Sequence, residues 1–461
     1  MRQQTRTGWR VVLSIVVAAV VAGAVGIQVA AAAPPGVEPA SVTLAGNPGD
    51  SFTVTKTVHT PVIPPRPDVV FLADTTGSMG PAIANVKANA TSIMTAVRTA
   101  QLDSDFGVAN YTDFGCSDPF PFHLDQAVTA SIPDAQTAID GWTVGNGCDV
   151  PEAQINALYT LATDPAVGFR ADSTRIIVWF GDASGHDPSG GHTLTDAINA
   201  LVAADIKVIA VPVVAGGDGL DASGQATAVA TATGGLVLPS ATPDEVSEAI
   251  LAGLTNLPVT VSPSATCDPG LLVAFTPSTP QTVTSGDDVV YTETITIDPA
   301  HPGGAVLQCT VDFLLNGLSG GPAFTQTISV AVNAPPDCSA VTGGPNLWPP
   351  NHKFRLITLT GATDPDGDPV VLTVEGVTQD EPLNGKADGN TSPDAKPGAA
   401  SNQVYLRAER SGQGNGRVYR IAFSGSDGQG GTCSGVAVVG VPHDKGKGKI
   451  PIDSGLVFVD F

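Results

Sequence analysis

Positive charge is scarce in this chain. Lys and Arg together number 21 against 44 Asp and Glu, which leaves a formal charge of -23 at pH 7. A surface of that sign repels nucleic acid and anionic membranes over the Debye range, so neither is expected as a partner, while cations and cation-dependent partners fit. Surplus carboxylates also keep an exported protein soluble, so charge alone leaves both readings standing. Histidine is sparse too. His186 and His192 flank Gly-rich turns, the rest are scattered, and the donors near those two are oxygens, which argues against a zinc centre. The cysteines lack the spacing of a zinc site. No Gly-x-Ser-x-Gly turn surrounds Ser184, and Ser78 lies in a loop of different chemistry, so no hydrolase nucleophile is placed and the chain is not expected to be an enzyme. Past the first 33 residues no apolar run reaches spanning length, and Gly455 to Phe461 reads as a strand rather than an anchor.

What is present begins with Arg2, Arg6 and Arg10, an apolar run from Val11 to about Val25, and small residues up to Ala33. This reads as a secretory signal over residues 1–33, cut within Ala30 to Ala33, after which no membrane attachment is expected. A retained anchor is the alternative, since the run approaches the roughly 18 to 20 residues of a spanning helix. An extracellular chain permits disulfides, and an even set of 6 cysteines allows three bridges.

A length of 461 residues implies two to four domains. Residues 34–66 hold two strand-forming runs around Asn47-Pro48-Gly49-Asp50, a hairpin signal. From residue 67 to 257 apolar strands alternate with helices, the pattern of a doubly wound, Rossmann-like α/β domain with a parallel sheet covered on both faces. The strands are expected at Asp68 to Ala73, Phe106 to Tyr111, Thr174 to Phe180, Lys207 to Val214 and Leu236 to Leu238. Thr242-Pro243-Asp244-Glu245 marks the start of the last helix. Residues 258–334 and 335–461, divided at Pro335-Pro336, alternate like all-β sandwich strands. With these boundaries the cysteines pair in order: Cys116 with Cys148, Cys267 with Cys309, Cys338 with Cys433.

The first strand of the α/β region runs into Asp74-Thr75-Thr76-Gly77-Ser78, hard oxygen donors at i, i+2 and i+4 at a carboxyl end of the sheet. A small divalent cation needs such donors, and a helix N-cap cluster uses them equally well. Asp149-Val150-Pro151-Glu152 and Gly181-Asp182-Ala183-Ser184-Gly185-His186 follow at later helix-start and strand-end positions. In these three elements and their order, about residues 67–257 resemble the von Willebrand factor A family, and within it the integrin β-subunit I-like domain.

The resemblance implies a metal-ion-dependent adhesion site for Mg2+ or Mn2+. Thr76, Ser78 and Glu152 would coordinate directly, Asp74 and Asp182 would act through metal-bound water, and one position would stay open for a carboxylate of a partner. Glu152 stands where other A domains place a hydroxyl, which lowers the positive charge of the site and weakens its pull on an anion. A second, Ca2+-like site would use Asp113, Asp149, the Pro151 carbonyl and Glu152, although Gly147 replaces an expected Asn. Gly80 and Pro81 replace the acids of a third site, so no third ion is expected. The resemblance also has residues 34–66 pairing with 258–334 in one sandwich. In the last region Asp364, Asp366 and Asp368 suit either a calcium loop or a plain polar turn. The expected function is extracellular, metal-dependent adhesion or ligand binding; the alternative is a structural secreted protein in which metal only stabilises the fold.

Overall fold

Between Gly36 and His59 polar and apolar residues alternate, and the chain forms strands β1 (Gly36–Glu38), β2 (Ser41–Gly46) and β3 (Ser51–His59). The two longer runs do not form the hairpin that their spacing suggests. The Asn47 turn closes locally, with Asn47 N donating to Asp50 Oδ2 at 2.7 Å, but it hands the chain from one sheet to another. These observations come from a computed structural model that describes residues 33–114, 121–145, 147–384, 387–444 and 450–461. The expected signal segment up to residue 32 and the Cys116–Cys148 pairing lie outside the described residues.

The α/β region follows with β4 (Pro67–Asp74), α1 (Gly80–Ala100), β5 (Asp105–Tyr111), β6 (Phe122–Thr129), α2 (Ile132–Gly141) and α3 (Gln154–Thr163). It continues with β7 (Thr174–Gly181), α4 (Leu194–Ala203), β8 (Ile206–Pro212), α5 (Gln225–Thr233), β9 (Leu236–Val237) and α6 (Val246–Thr255). The strands form one sheet in the order β6-β5-β4-β7-β8-β9, parallel except for β6. Edge strand β6, half-exposed and following residues 115–120, has no expected counterpart. The last helix starts later than its signal: Thr242 N donates to Glu245 Oε2 in a turn ahead of α6.

Strand period decides the layers. Val69, Phe71 and Ala73 of β4 face α1, α2 and α6, whereas Val70 and Leu72 face α3, α4 and α5. Every residue of β4 is buried, so the strand reads as a continuous apolar run. A buried Phe71 or Leu72 contributes about 1.5 to 3 kcal/mol by area, and truncation costs more because a cavity remains. Since β5 lies on one side of β4 and β7 on the other, the chain reverses direction across the sheet at β4, and the loops after β4 and β7 part to leave a crevice.

Past Thr255 the chain is all strand: β10 (Pro258–Cys267), β11 (Leu271–Thr276), β12 (Gln281–Thr284), β13 (Asp288–Ile297), β14 (Ala305–Leu315), β15 (Leu318–Ser319) and β16 (Thr325–Val332). One sheet runs β1-β3-β13-β11 and another β12-β10-β14-β16-β2, with β15 on β14. The segment before the α/β region therefore supplies strands to both sheets: β3 pairs antiparallel with β13, and β2 parallel with β16. Tyr291 and Ile295 of the first sheet and Val261, Phe313 and Ile328 of the second share one buried core. Tyr291 can be buried because its hydroxyl donates to Val261 O at 2.8 Å.

The remaining strands are β17 (Phe354–Thr358), β18 (Val371–Gln379), β19 (Ala395–Pro397), β20 (Gln403–Arg407), β21 (Gly416–Ser426), β22 (Thr432–Pro442) and β23 (Phe458–Val459). They form sheets β17-β20-β19 and β22-β21-β18-β23 around a separate core that includes Leu359, Leu406 and Ile421. Cys267 and Cys309, at facing positions of β10 and β14, are bonded, as are Cys338 and Cys433. Pro35–Phe461 is one compact unit. Asn333 Nδ2 donates to Asp427 Oδ2 at 2.9 Å, and Asn47 Nδ2 to Gln429 O at 3.0 Å, across the junction at Pro335. Among the described residues no helix is long and apolar enough to cross a membrane.

Candidate metal centre

Asp74 ends β4 at the reversal point and is fully buried. Its Oδ1 accepts from Thr76 N at 2.9 Å and Thr76 Oγ1 at 2.7 Å, which closes the loop over it. Its Oδ2 is buried and has no partner. Ser78, on a 3-10 turn over Gly77–Met79, donates to Asp182 Oδ1 at 3.0 Å, so the loop after β4 is tied to the loop after β7. The other oxygen of Asp182 accepts from Gly217 N at 2.8 Å. A side chain at Gly217 would put Cβ 2.4 Å from Asp182 O, so only glycine allows this approach.

Glu152 precedes α3 and is held by backbone bonds to the loop after β7. Its N donates to Ser184 O at 2.9 Å, and its O accepts from His186 N at 2.9 Å. The side chain is 3 % exposed, and Oε2 is buried with no partner. Thr76, Ser78, Asp149, Glu152, Ala183 and Gly217 are among the residues lining a cleft of about 360 Å³. All five residues expected at the first site therefore stand at one cleft or directly beneath it.

The electrostatics are those of acids lacking a counter-charge. Burial pushes the Asp74 carboxyl up to about 7, against the hydrogen bonds of Thr76 and with the help of the Asp182 charge. Burial, followed by the charges of Asp74, Asp113 and Asp182, pushes Glu152 up to about 8. Tyr111 lies behind them, its hydroxyl accepting from Trp179 Nε1 at 3.0 Å, and burial with the Asp74 charge holds its proton firmly. Two buried carboxylate oxygens without donors cost free energy that a hard divalent cation would offset, and the hydroxyl and carboxylate donors suit Mg2+ or Mn2+.

Beside this cleft Asp113 is fully buried. Its Oδ1 accepts from Phe114 N at 2.6 Å and lies 3.0 Å from His186 Nε2, and its Oδ2 accepts from Cys148 N at 3.3 Å. Asp149 Oδ1 is 4.0 Å from the same imidazole nitrogen. Ligand atoms of Asp113, Asp149 and His186 lie within 4.8 Å of one another, the one such group of three among the described residues. Asp113 and Asp149 thus meet as the sequence suggests, but the third side chain is His186, which the sequence reading set aside. A mixed nitrogen and oxygen set suits a borderline cation such as Zn2+ better than Ca2+, which takes oxygen alone.

Asp364, Asp366 and Asp368 form no comparable group among the described residues. Asp364 Oδ1 accepts from the backbone N of Asp366 at 2.8 Å and of Asp368 at 3.4 Å, while Asp366 Oδ2 accepts from Ala334 N at 2.6 Å. These bonds close a turn pinned to the preceding segment and leave Asp364 Oδ2 buried without a partner, an arrangement that fits a polar turn and a calcium loop alike. Asp218 is a further functional residue not expected from the sequence: its two oxygens accept from Ser184 N at 2.8 Å and Ser184 Oγ at 2.7 Å and brace the loop that holds Glu152. Its only signal was the Gly-rich run Gly216-Gly217-Asp218-Gly219 after β8.

No protein-family model and no curated protein matches the chain. Among solved structures it is similar to a von Willebrand factor type A protein from Catenulispora acidiphila, at 12 % identity and a TM-score of 0.34, over 66 % of this chain and 75 % of that one. It is also similar to proximal thread matrix protein 1 from the mussel byssus with a zinc-occupied MIDAS motif, at 15 % identity and a TM-score of 0.33. That match spans 44 % of this chain and 47 % of the other. Likeness at this level carries no argument, and the functional reading rests on the chain's own geometry.

Proposed function

We propose that residues 67–257 form a von Willebrand factor A-type domain, closest in its loops to the integrin β-subunit I-like domain, that binds a partner's carboxylate through Mg2+ or Mn2+ outside the cell. The observation that supports this reading is the pair of buried, unpartnered oxygens, Glu152 Oε2 at a cleft lined by Thr76 and Ser78 and Asp74 Oδ2 on the carboxylate that Thr76 bonds, with Asp182 held by Ser78. Thr76, Ser78 and Glu152 would supply direct oxygen donors, while Asp74 and Asp182 would neutralise the charge from beneath. When bound, the cation supplies a positive charge at the mouth of the cleft for an incoming anion. The protein's own part is rigidity: the Thr76 bonds to Asp74, the Ser78 bond to Asp182 and the backbone clamp on Glu152 hold the donors before any ligand arrives.

In the alternative reading, metal serves only the fold, and the third carboxylate that Glu152 adds to those of Asp74 and Asp182 favours it, because the charge left for a partner is smaller. Titrating Mg2+ and Mn2+ into chelator-treated protein by calorimetry, beside retention on an immobilised Asp-containing peptide and its Asn counterpart, separates the two. Adhesion requires metal binding and metal-dependent retention on the Asp peptide alone. Metal binding that raises the melting temperature without retention supports the structural role, and no heat of binding refutes both.

A further inference from the structure

The paired sheets that flank the α/β region bury three polar side chains that the metal centre does not use. Lys56 on β3, Glu293 on β13 and Gln326 on β16 are each 0 % exposed. Lys56 and Glu293 sit on neighbouring strands of one sheet, and Gln326 reaches Glu293 from the other sheet. Lys56 Nζ is 3.8 Å from Glu293 Oε2, and Gln326 Nε2 donates to the same oxygen at 2.9 Å. Glu293 Oε1 and Gln326 Oε1 are buried without partners.

Lys56 Nζ also donates to Pro39 O at 2.5 Å, yet the arrangement stays costly. Two charges are taken out of water, and two acceptors remain unsatisfied in a core of Tyr291, Phe313 and Ile328. Burial lowers the Lys56 ammonium to about 8 and raises the Glu293 carboxyl, so the pair is shifted toward a neutral amine and a neutral acid. A neutral buried amine is a nucleophile, a carboxamide is an acyl donor, and a carboxylic acid bonded to the amide and 3.8 Å from the amine can relay a proton between them.

We propose that Lys56, Glu293 and Gln326 form a self-contained cross-linking site that joins Lys56 Nζ to Gln326 Cδ in an isopeptide bond. The Nζ lone pair attacks Cδ while Glu293 holds the amide nitrogen that is to leave. Glu293 then passes a proton from Nζ to Nε2, the Cδ–Nε2 bond breaks, and ammonia leaves. One primary amine and one primary amide become one secondary amide and one ammonia, without change of oxidation state and without a co-reactant. The bond ties β3, which precedes the α/β domain, to β16, the last strand of the paired sheets, and so clasps the two segments between which that domain is inserted.

The test is the mass of the full chain, denatured and reduced, with peptide mapping. The expected result is a deficit of one ammonia, a branched peptide joining the Lys56 and Gln326 segments, and no tryptic cleavage after Lys56. Glu293→Gln and Gln326→Ala should each restore the unmodified mass. The wild-type protein decides the matter whether or not a variant folds. A wild-type chain with no deficit and normal cleavage after Lys56 overturns the proposal and leaves a buried ion pair. A deficit mapped to any other residue overturns it equally.

Discussion

Asp74→Asn should stabilise the metal-free protein while abolishing its response to metal. With a folded-state pKa raised to about 7 from a usual 3.8, the folded protein holds the Asp74 proton more tightly than the unfolded chain does. The cost of this carboxylate is therefore absent below the unfolded value, grows as pH rises, and is complete above about 7. Integrated over that window, it amounts to roughly 4 kcal/mol at pH 8 and about 1 to 2 kcal/mol at pH 5. The amide still accepts from Thr76 N and Oγ1, but it places an NH2 where Oδ2 has no partner, at a cost of about 1 to 2 kcal/mol. The variant should gain about 2 kcal/mol over wild type at pH 8 in chelator and be close to neutral at pH 5. Urea unfolding of both proteins in chelator across that range reads the difference, and the same curves in Mg2+ should show stabilisation of wild type only. A variant less stable than wild type at pH 8 in chelator, or one that still responds to Mg2+, refutes the reasoning.

Two further substitutions probe the same cleft from different sides. Gly217→Ala brings Cβ against the Asp182 backbone, so the anchor on Asp182 should be lost and calorimetry should show Mg2+ affinity falling by at least about tenfold, or roughly 1.4 kcal/mol; unchanged affinity would show that the loop yields freely. Glu152→Ala should abolish binding of Mg2+, whereas Glu152→Thr should retain a weaker site, because a hydroxyl is an adequate donor; loss in both variants would mean that the Glu152 carboxylate is indispensable.

The α/β elements were legible because local pattern decides them. Apolar runs flanked by helix periodicity place β4, β5, β7 and β8 to within a residue or two, and a strand end followed by Asp74, Thr76 and Ser78 marks the cleft without reference to distant parts. Glu152 and Asp182, at a helix start and a strand end, were legible only through the resemblance of their loops to those of the von Willebrand factor A family. Strand β6, polar enough to sit half-exposed at an edge, carried no such signal.

Partnership across long sequence distances was decided only by the tertiary structure. The runs around Asn47 look like a hairpin because a turn closes locally, yet the free energy of burying both inner faces sends β2 to β16 and β3 to β13. His186 meets Asp113 because the loops after β5 and β7 converge at the chain reversal, which no spacing in the sequence encodes. Nothing local in the sequence sets Lys56, Glu293 or Gln326 apart. Their burial together exists only because two sheets close over them. Sequence by itself thus determined which residues could form strands, helices and a cation-binding loop, since those are short-range preferences, while the shared cores determined which of those residues face one another.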